Sequence, residues 1–250
     1  MGGVLFSLIR RADPSARIIV CVRSKKDAAP WKKRTVETVH DGDLTAADIV
    51  LLAVKPKDFR EAEITVAPSA LIVSIMAGVS VASIRNKLGV QCVARIMMNI
   101  AAEHGHSLAV WYAPLIDKAT KRRVYALCTA SGEALEVAKE DVIDQATVVL
   151  GSGPAFLLEA LQHLADAARE TGIPRENATK MARAAFDAAH VVVSKEPSMG
   201  IRTIIAKIAS KGGTTEAGLH ALKMADQRAA WIEASRAAYR RAKELQKSSS

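Results

Sequence analysis

The chain has 250 residues, and 35 Lys+Arg against 26 Asp+Glu leave a formal net charge of +9. Half of the residues are hydrophobic and 4% are aromatic, which is enough apolar material for a packed core and excludes wholesale disorder. The basic residues come in scattered short groups (Arg10-Arg11, Lys25-Lys26, Lys121-Arg122-Arg123, Arg240-Arg241), which read as solvated faces and argue against a nucleic-acid partner.

Taken in chain order, the first half alternates helix and strand signals. Residues 3–11 read as a helix, and 17–22 as a short β-branched strand. A continuous apolar run over 49–54 is stopped by Lys55-Pro56, and a helix follows near 55–62. The run 70–75 is stopped by Ala77-Gly78, a helix covers Val81–Leu88, and 91–97 is a fourth strand. Continuous short runs mark strands buried on both faces, and strands separated by helices imply a doubly wound parallel sheet. Such sheets bind ligands beyond the carboxyl ends of their strands.

After about Val149 no strand is expected. Gly151-Ser-Gly-Pro154 opens a helix with Pro154 in its first turn, and Leu157, Leu161, Leu164 and Ala168 follow the spacing of a buried face. Gly172 ends that helix and Pro174 opens an Ala-rich one over 174–193. Later helices cover 201–209, Thr214–Met224 and 227–246, and the last residues from Lys247 form a frayed tail. The expected division is an α/β domain over 1–140 and an all-helical domain over 141–250. The longest uninterrupted apolar runs, such as 49–54, are too short to span a bilayer. Three distant cysteines without a CxxC (Cys21, Cys92, Cys128) support neither a zinc ribbon nor a disulfide scaffold. No other metal set is expected: His104-Gly-His106 lacks a third ligand at sensible spacing. Both readings fit a soluble, cytoplasmic protein without a membrane partner.

Five motifs in this order carry a resemblance: Ala53-Val-Lys-Pro56, Ser74-Ile-Met-Ala-Gly-Val79, Arg95-Ile-Met-Met-Asn99, Gly151-Ser-Gly-Pro-Ala155 and Ser210-Lys-Gly-Gly-Thr-Thr215. Together they resemble pyrroline-5-carboxylate reductase, the NAD(P)H enzyme of the last step of proline synthesis. The resemblance implies a Rossmann domain and a helical dimerisation domain, with dimers that can assemble into a decamer. It implies hydride transfer to a cyclic imine that bears a carboxylate. In the family the loop matching 210–215 holds that carboxylate, and the Thr matching Thr215 lies beside the imine nitrogen. Thr215 is therefore the catalytic candidate, with Ser210, Gly212, Gly213, Thr214, Ser152 and Gly153 as substrate-binding candidates.

Each motif also has a plain reading. Two glycines before a helix make an amide nest suited to anions, or an ordinary loop and helix start. Gly151-Ser-Gly-Pro154 is a helix cap on one reading and lies near the nicotinamide and substrate on the other. Arg23, Ser24 and Lys25 follow the second strand of the pattern, where a basic residue accommodates the 2′-phosphate of NADP; NADPH is expected, with NADH as the alternative. A surface turn is the plain reading there. Ala53, Val54, Lys55, Pro56, Ala77, Gly78 and Asn99 fall at strand ends where a dinucleotide would lie.

The chain departs from the pattern in places. The family opens with a strand and Gly-x-Gly-x-Met, whereas Met1-Gly2-Gly3 matches only from that Met onward. The first strand and its turn are thus expected to be missing from the sheet, with Gly2 and Gly3 offering helix N-terminal amides instead. Met98, Ile100 and Ala101 replace the two prolines and the threonine of the family's Arg-x-Met-Pro-Asn-Thr-Pro. Leu150 replaces a serine, Phe156 a tyrosine, and Lys211 a proline. The alternatives are a catalytically impaired oligomeric homologue, or a reductase of another imine or hydroxyacid.

Overall fold

The structure, a computed structural model, describes residues 2–23, 26–32, 37–39 and 42–247. Two compact units form: one runs to Gly151 and takes in the chain again from Ala238, and the other is Ser152–Ala237.

The first unit begins with α1 (Gly2–Ala12), β1 (Ile19–Cys21), α2 (Ala29–Lys32), β2 (Glu37–Val39) and β3 (Asp43–Leu44). It continues with β4 (Ile49–Leu52), α3 (Pro56–Glu61), β5 (Thr65–Val66), β6 (Leu71–Ser74), α4 (Val81–Leu88) and β7 (Val93–Met97). A 3-10 turn (Ile100–His104) leads to β8 (Ser107–Tyr112), α5 (Lys118–Thr129), β9 (Gly132–Glu136) and α6 (Asp141–Ala146). The main sheet has five strands in the order β4-β6-β7-β8-β9.

As expected, β4, β6 and β7 are parallel. The far pair differs, because β8 runs antiparallel to β7 while β8 and β9 are parallel to each other. The segment between β7 and β8 is too short for the crossover of a dozen or more residues that a parallel return requires, so the chain turns back. β1 pairs with β2 and β3 with β5, each as a separate two-stranded ladder, and no described strand joins β1 to β4.

Every residue of β6 and β7 is buried, which explains their unbroken apolar runs. Val4, Leu5 and Leu8 of α1 and Val124, Leu127 and Cys128 of α5 cover one face, against Leu71, Val73, Ala94 and Ile96. Phe59, Val81 and Ile84 cover the other, against Ile72 and Val93. Burial pushes the Cys128 thiol up to about 12, so it packs as a small hydrophobe and not as a nucleophile.

Two side chains buried among the described residues of this unit are charged. Arg95 on β7 has 1% of its side chain exposed, and so has Asp144 on α6. Its Nη2 donates to Asp144 Oδ1 at 2.9 Å and its Nη1 to Glu140 Oε1 at 2.7 Å. Glu140 Oε1 also accepts the Val81 N–H at 2.8 Å, tying the start of α4 to the same cluster.

The second unit holds α7 (Gly153–Glu170), α8 (Arg175–Lys195), α9 (Ile201–Ile208), α10 (Thr214–Met224) and the first part of α11 (Gln227–Lys247). The expected helices are all present. Their expected burial is not: Leu157 is 49% and Leu164 50% exposed. In this unit the buried hydrophobics are Ala165, Ala178, Ala182 and Ile204. Helical periodicity reports which residues share a face; it does not report whether this chain covers that face.

The start of α7 also differs from expectation. A π-helical turn, Thr147–Ser152, links α6 directly to α7, so the helix does not begin at Gly151. The uninterrupted run Asp141–Glu170 is long and apolar enough to cross a membrane by length and composition alone. Counting only unbroken apolar stretches overlooked it, because polar residues punctuate the run. His163, for example, lies on its exposed side and meets Glu159 at 3.4 Å.

Replacing Arg95 by Met would leave Glu140 and the buried Asp144 without their guanidinium. Breaking a buried pair in this way costs about 3–5 kcal/mol. The Arg95→Met chain should therefore unfold at a clearly lower guanidinium chloride midpoint than the wild type, with a similar slope.

Candidate functional site

The strand-end residues assemble at one edge of the sheet. Leu52 is in register with Ser74, and Ser74 with Arg95, so β4 and β6 end level with each other and β7 runs on to Met97 at the same edge. Ala53–Val54–Lys55–Pro56, Ala77–Gly78 and Asn99 all leave the sheet beyond that edge. Lys55 is the N-cap of α3, its carbonyl accepts the Phe59 N–H at 3.0 Å, and Pro56 takes the first turn. The buried Ser74 Oγ accepts the Met76 N–H at 3.2 Å and starts the turn that follows β6. That turn passes through Gly78 at φ +70°, a left-handed conformation that favours glycine.

Asn99 caps the 3-10 turn: its Oδ1 accepts the Ala101 N–H at 2.9 Å, and its own N–H donates to Ser107 Oγ at 3.2 Å. Ile100 beside it is 70% exposed, whereas Met98 is buried. Arg23 follows β1 and lies 3.9 Å from Asp58 of α3 and 4.0 Å from Asp27. At 79% exposure these pairs are weak, and the guanidinium can exchange them for another anion. Gly2 and Gly3 open α1, as expected, and a Cβ at Gly2 would come 3.4 Å from the Trp31 ring. Ser24 and Lys25, the other two ribose-end candidates, lie outside the described residues.

The glycine loop belongs to the second unit. The Gly213 N–H donates to the Ser210 carbonyl at 3.0 Å, and Gly212 adopts φ +72°. A Cβ on Gly213 would lie 2.5 Å from Ser210 Oγ and 3.1 Å from the Ser210 carbonyl oxygen, so a larger residue here would make the Ser210 hydroxyl turn away. Gly213 is the N-cap of α10, and Thr214 and Thr215 form its exposed first turn. One residue here escaped the sequence reading. Glu216 Oε2 accepts the Gly212 N–H at 2.7 Å, so the chain's own carboxylate sits on an amide of the nest. The available signal was a Glu three residues after the N-cap, the spacing of a capping box.

Ser152 and Gly153 sit where the π-helical turn meets α7. Ser152 is in helical conformation and its side chain makes no capping bond, which corrects the helix-cap reading of this motif. Local widening of a helix by one residue is frequent at functional sites. Leu150, where the family has serine, packs with Met97, Val110 and Ile143. Phe156 makes an edge contact with Trp231, ring centroids 6.3 Å apart. An open groove of about 820 Å3 on α8, lined by Arg175, Thr179, Lys180, Arg183 and Asp187, includes none of the candidate residues.

Comparison with known proteins bears on both units. Residues 140–245 match the family described as pyrroline-5-carboxylate reductase dimerisation, and residues 1–78 match NADP oxidoreductase coenzyme F420-dependent. A pyrroline-5-carboxylate reductase of Staphylococcus saprophyticus is 34% identical over 81% of this chain and 76% of its own length. One of Thermus thermophilus is 34% identical over 89% of this chain and 84% of its own. The solved 1-pyrroline-5-carboxylate reductase of Streptococcus pyogenes superposes with a TM-score of 0.86 at 25% identity, covering 97% of this chain and 95% of that one.

Proposed function

The chain belongs to the pyrroline-5-carboxylate reductase family, and from that premise we propose that it is a cytoplasmic, NADPH-dependent enzyme reducing 1-pyrroline-5-carboxylate to L-proline. The observation that carries the reading is the common edge where Ala53–Pro56, Ala77–Gly78 and Asn99 leave three parallel strands in register. A dinucleotide lies across such an edge in open α/β sheets. The residues present fit that group. Arg23, held by exposed pairs, would take the 2′-phosphate in preference to a bare ribose hydroxyl. Gly2 and Gly3 at the start of α1 would present amides to the pyrophosphate.

When bound, the nicotinamide supplies a hydride to the imine carbon. The C=N double bond then becomes a C–N single bond, and the nitrogen needs one proton. Thr215, exposed on the first turn of α10, would hydrogen-bond at that nitrogen and favour the protonated, more electrophilic imine. Ser210, Gly212, Gly213 and Thr214 would hold the carboxylate through the nest, with Ser152 and Gly153 closing on the ring. Steady-state assays should show NADPH oxidation with 1-pyrroline-5-carboxylate and a kcat about 100-fold lower in Thr215→Ala, at the low end for a lost proton-transfer partner. A variant as fast as the wild type would remove Thr215 from the mechanism.

A second reading rests on Glu216. Because its carboxylate already engages the Gly212 N–H, the loop is set against a carboxylate-bearing substrate and less so against an imine lacking one. Two like unit charges about 4 Å apart in water repel by about 1 kcal/mol. Glu216→Gln keeps the acceptor and removes the charge, so KM for 1-pyrroline-5-carboxylate should fall about fivefold relative to that for 1-pyrroline. Equal ratios before and after would return the loop to plain helix capping.

The helical unit is proposed to pair with a second copy of the chain. Leu157, Leu158, Leu164, Val191, Ile205 and Leu222 stand exposed on four of its helices, large apolar side chains that a second copy would cover. Light scattering should return a dimer or a multiple of it, up to a decamer. A monomer at micromolar concentration would overturn the assignment.

A further inference from the structure

The last turn of α11 lies directly on the turn that follows β6. A Cβ placed on Gly78 would come 2.9 Å from the Gln246 amide nitrogen, 3.0 Å from Leu245 Cβ and 3.1 Å from the Ala242 carbonyl oxygen. Only a residue without a side chain admits this approach, and Ala242, facing it, is itself buried. Lys243 ties this turn of α11 to α6. Its ammonium binds Asp141, reaches Asp144 Oδ2 at 3.2 Å and touches Gln246 Oε1 at 3.4 Å. Tyr239, one turn earlier, donates to Asp141 Oδ1 at 3.3 Å.

These bonds close a ring. Lys243 joins Asp144, Asp144 joins Arg95, and Arg95 joins Glu140. Glu140 accepts the Val81 N–H, and three residues before Val81 is Gly78, on which α11 rests. Each link is charge-assisted or a backbone contact, and Arg95 and Asp144 are sealed from solvent. The ammonium is partly buried, yet its two carboxylate partners raise its pKa, so it stays charged across the physiological range. The bare α-carbon of Gly78 and the position of Ala77 thus depend on a residue 165 places further along the chain.

We propose that Lys243 is a positioning residue for the cofactor: by pinning the last turn of α11 on Gly78, it fixes the Ala77–Gly78 turn in the shape that receives the dinucleotide. This rests on the cofactor reading given above. The end of a helix that starts in the helical unit is then part of the nucleotide-binding machinery.

The test uses the full chain as wild type, Lys243→Gln and Lys243→Arg. Isothermal titration with NADPH should show at least fivefold weaker binding in Lys243→Gln and a return to within twofold in Lys243→Arg. In turnover the loss should fall on KM for NADPH more than on kcat. Equal NADPH affinity in all three proteins would overturn the proposal. Should the wild type itself fail to bind NADPH, the cofactor reading falls, and amide hydrogen exchange over 76–81 in the cofactor-free proteins decides the positioning claim. Exchange at least tenfold faster in Lys243→Gln, slowed again in Lys243→Arg, supports it; unchanged exchange overturns it.

Discussion

A guanidinium buried in the middle of a sheet strand constrains everything around it. Arg95 is almost fully sealed, and its cost of desolvation is offset only because Asp144 and Glu140 meet its two terminal nitrogens. Those carboxylates come from the start of α6, so the helix must dock at the carboxyl edge of β7. Asp144 in turn needs a second cation on its other oxygen, which Lys243 supplies from α11. The carboxyl edge of β4, β6 and β7 is thereby built around ion pairs and not around apolar packing alone. Such a cluster gains specificity of arrangement more surely than stability, since every member must be in place or the remaining charges are stranded.

The helical unit obeys a different constraint. Three alanines and an isoleucine are its buried hydrophobics, and side chains of that size remove little apolar area from water. Leucines and valines spaced for burial stand instead at the surface. The proposed cover is a second copy, and it accounts for the same feature that makes the run Asp141–Glu170 resemble a membrane span. A helix apolar on several faces is buried in something, and composition alone does not distinguish protein from lipid.

How far the sequence discloses this molecule depends on the range of each interaction. α4 is legible because its signals are local: Ser80 caps it and Gly89 ends it at φ 67°. β6 and β7 are legible because burial on both faces leaves unbroken apolar runs. β9 is not, since Gly132–Glu136 is a half-exposed edge with Glu133 and Glu136 in it, and no run marks it; β8 does carry an apolar run, over 108–112, but nothing local in it shows that it runs antiparallel to β7. The pairing of Arg95 with Asp144 spans 49 residues and leaves no local pattern. At the candidate site, Asn99 and Gly78 were readable by position after a strand. What they touch was not: Asn99 caps the turn after it, and Gly78 receives α11.

Glu216 shows how a local rule and a functional expectation can share the same atoms. Read as helix chemistry, an N3 glutamate reaching back to the residue before the N-cap is unremarkable, and it steadies α10 by satisfying an orphan amide. Read as site chemistry, the same bond gives the nest a negative charge before any ligand arrives. Lys211, in the same loop, adds a positive charge where the family has a rigid proline. The loop therefore carries both signs within six residues, and if it is the proposed carboxylate site, its preference would depend on which of the two turns toward the ligand. A proline would have fixed the loop and left the amides as its only polarity. With Lys211 and Glu216 the polarity is set by exposed side chains that can move, so on the proposed reading substrate choice would be a matter of two exposed charges more than of the backbone nest itself.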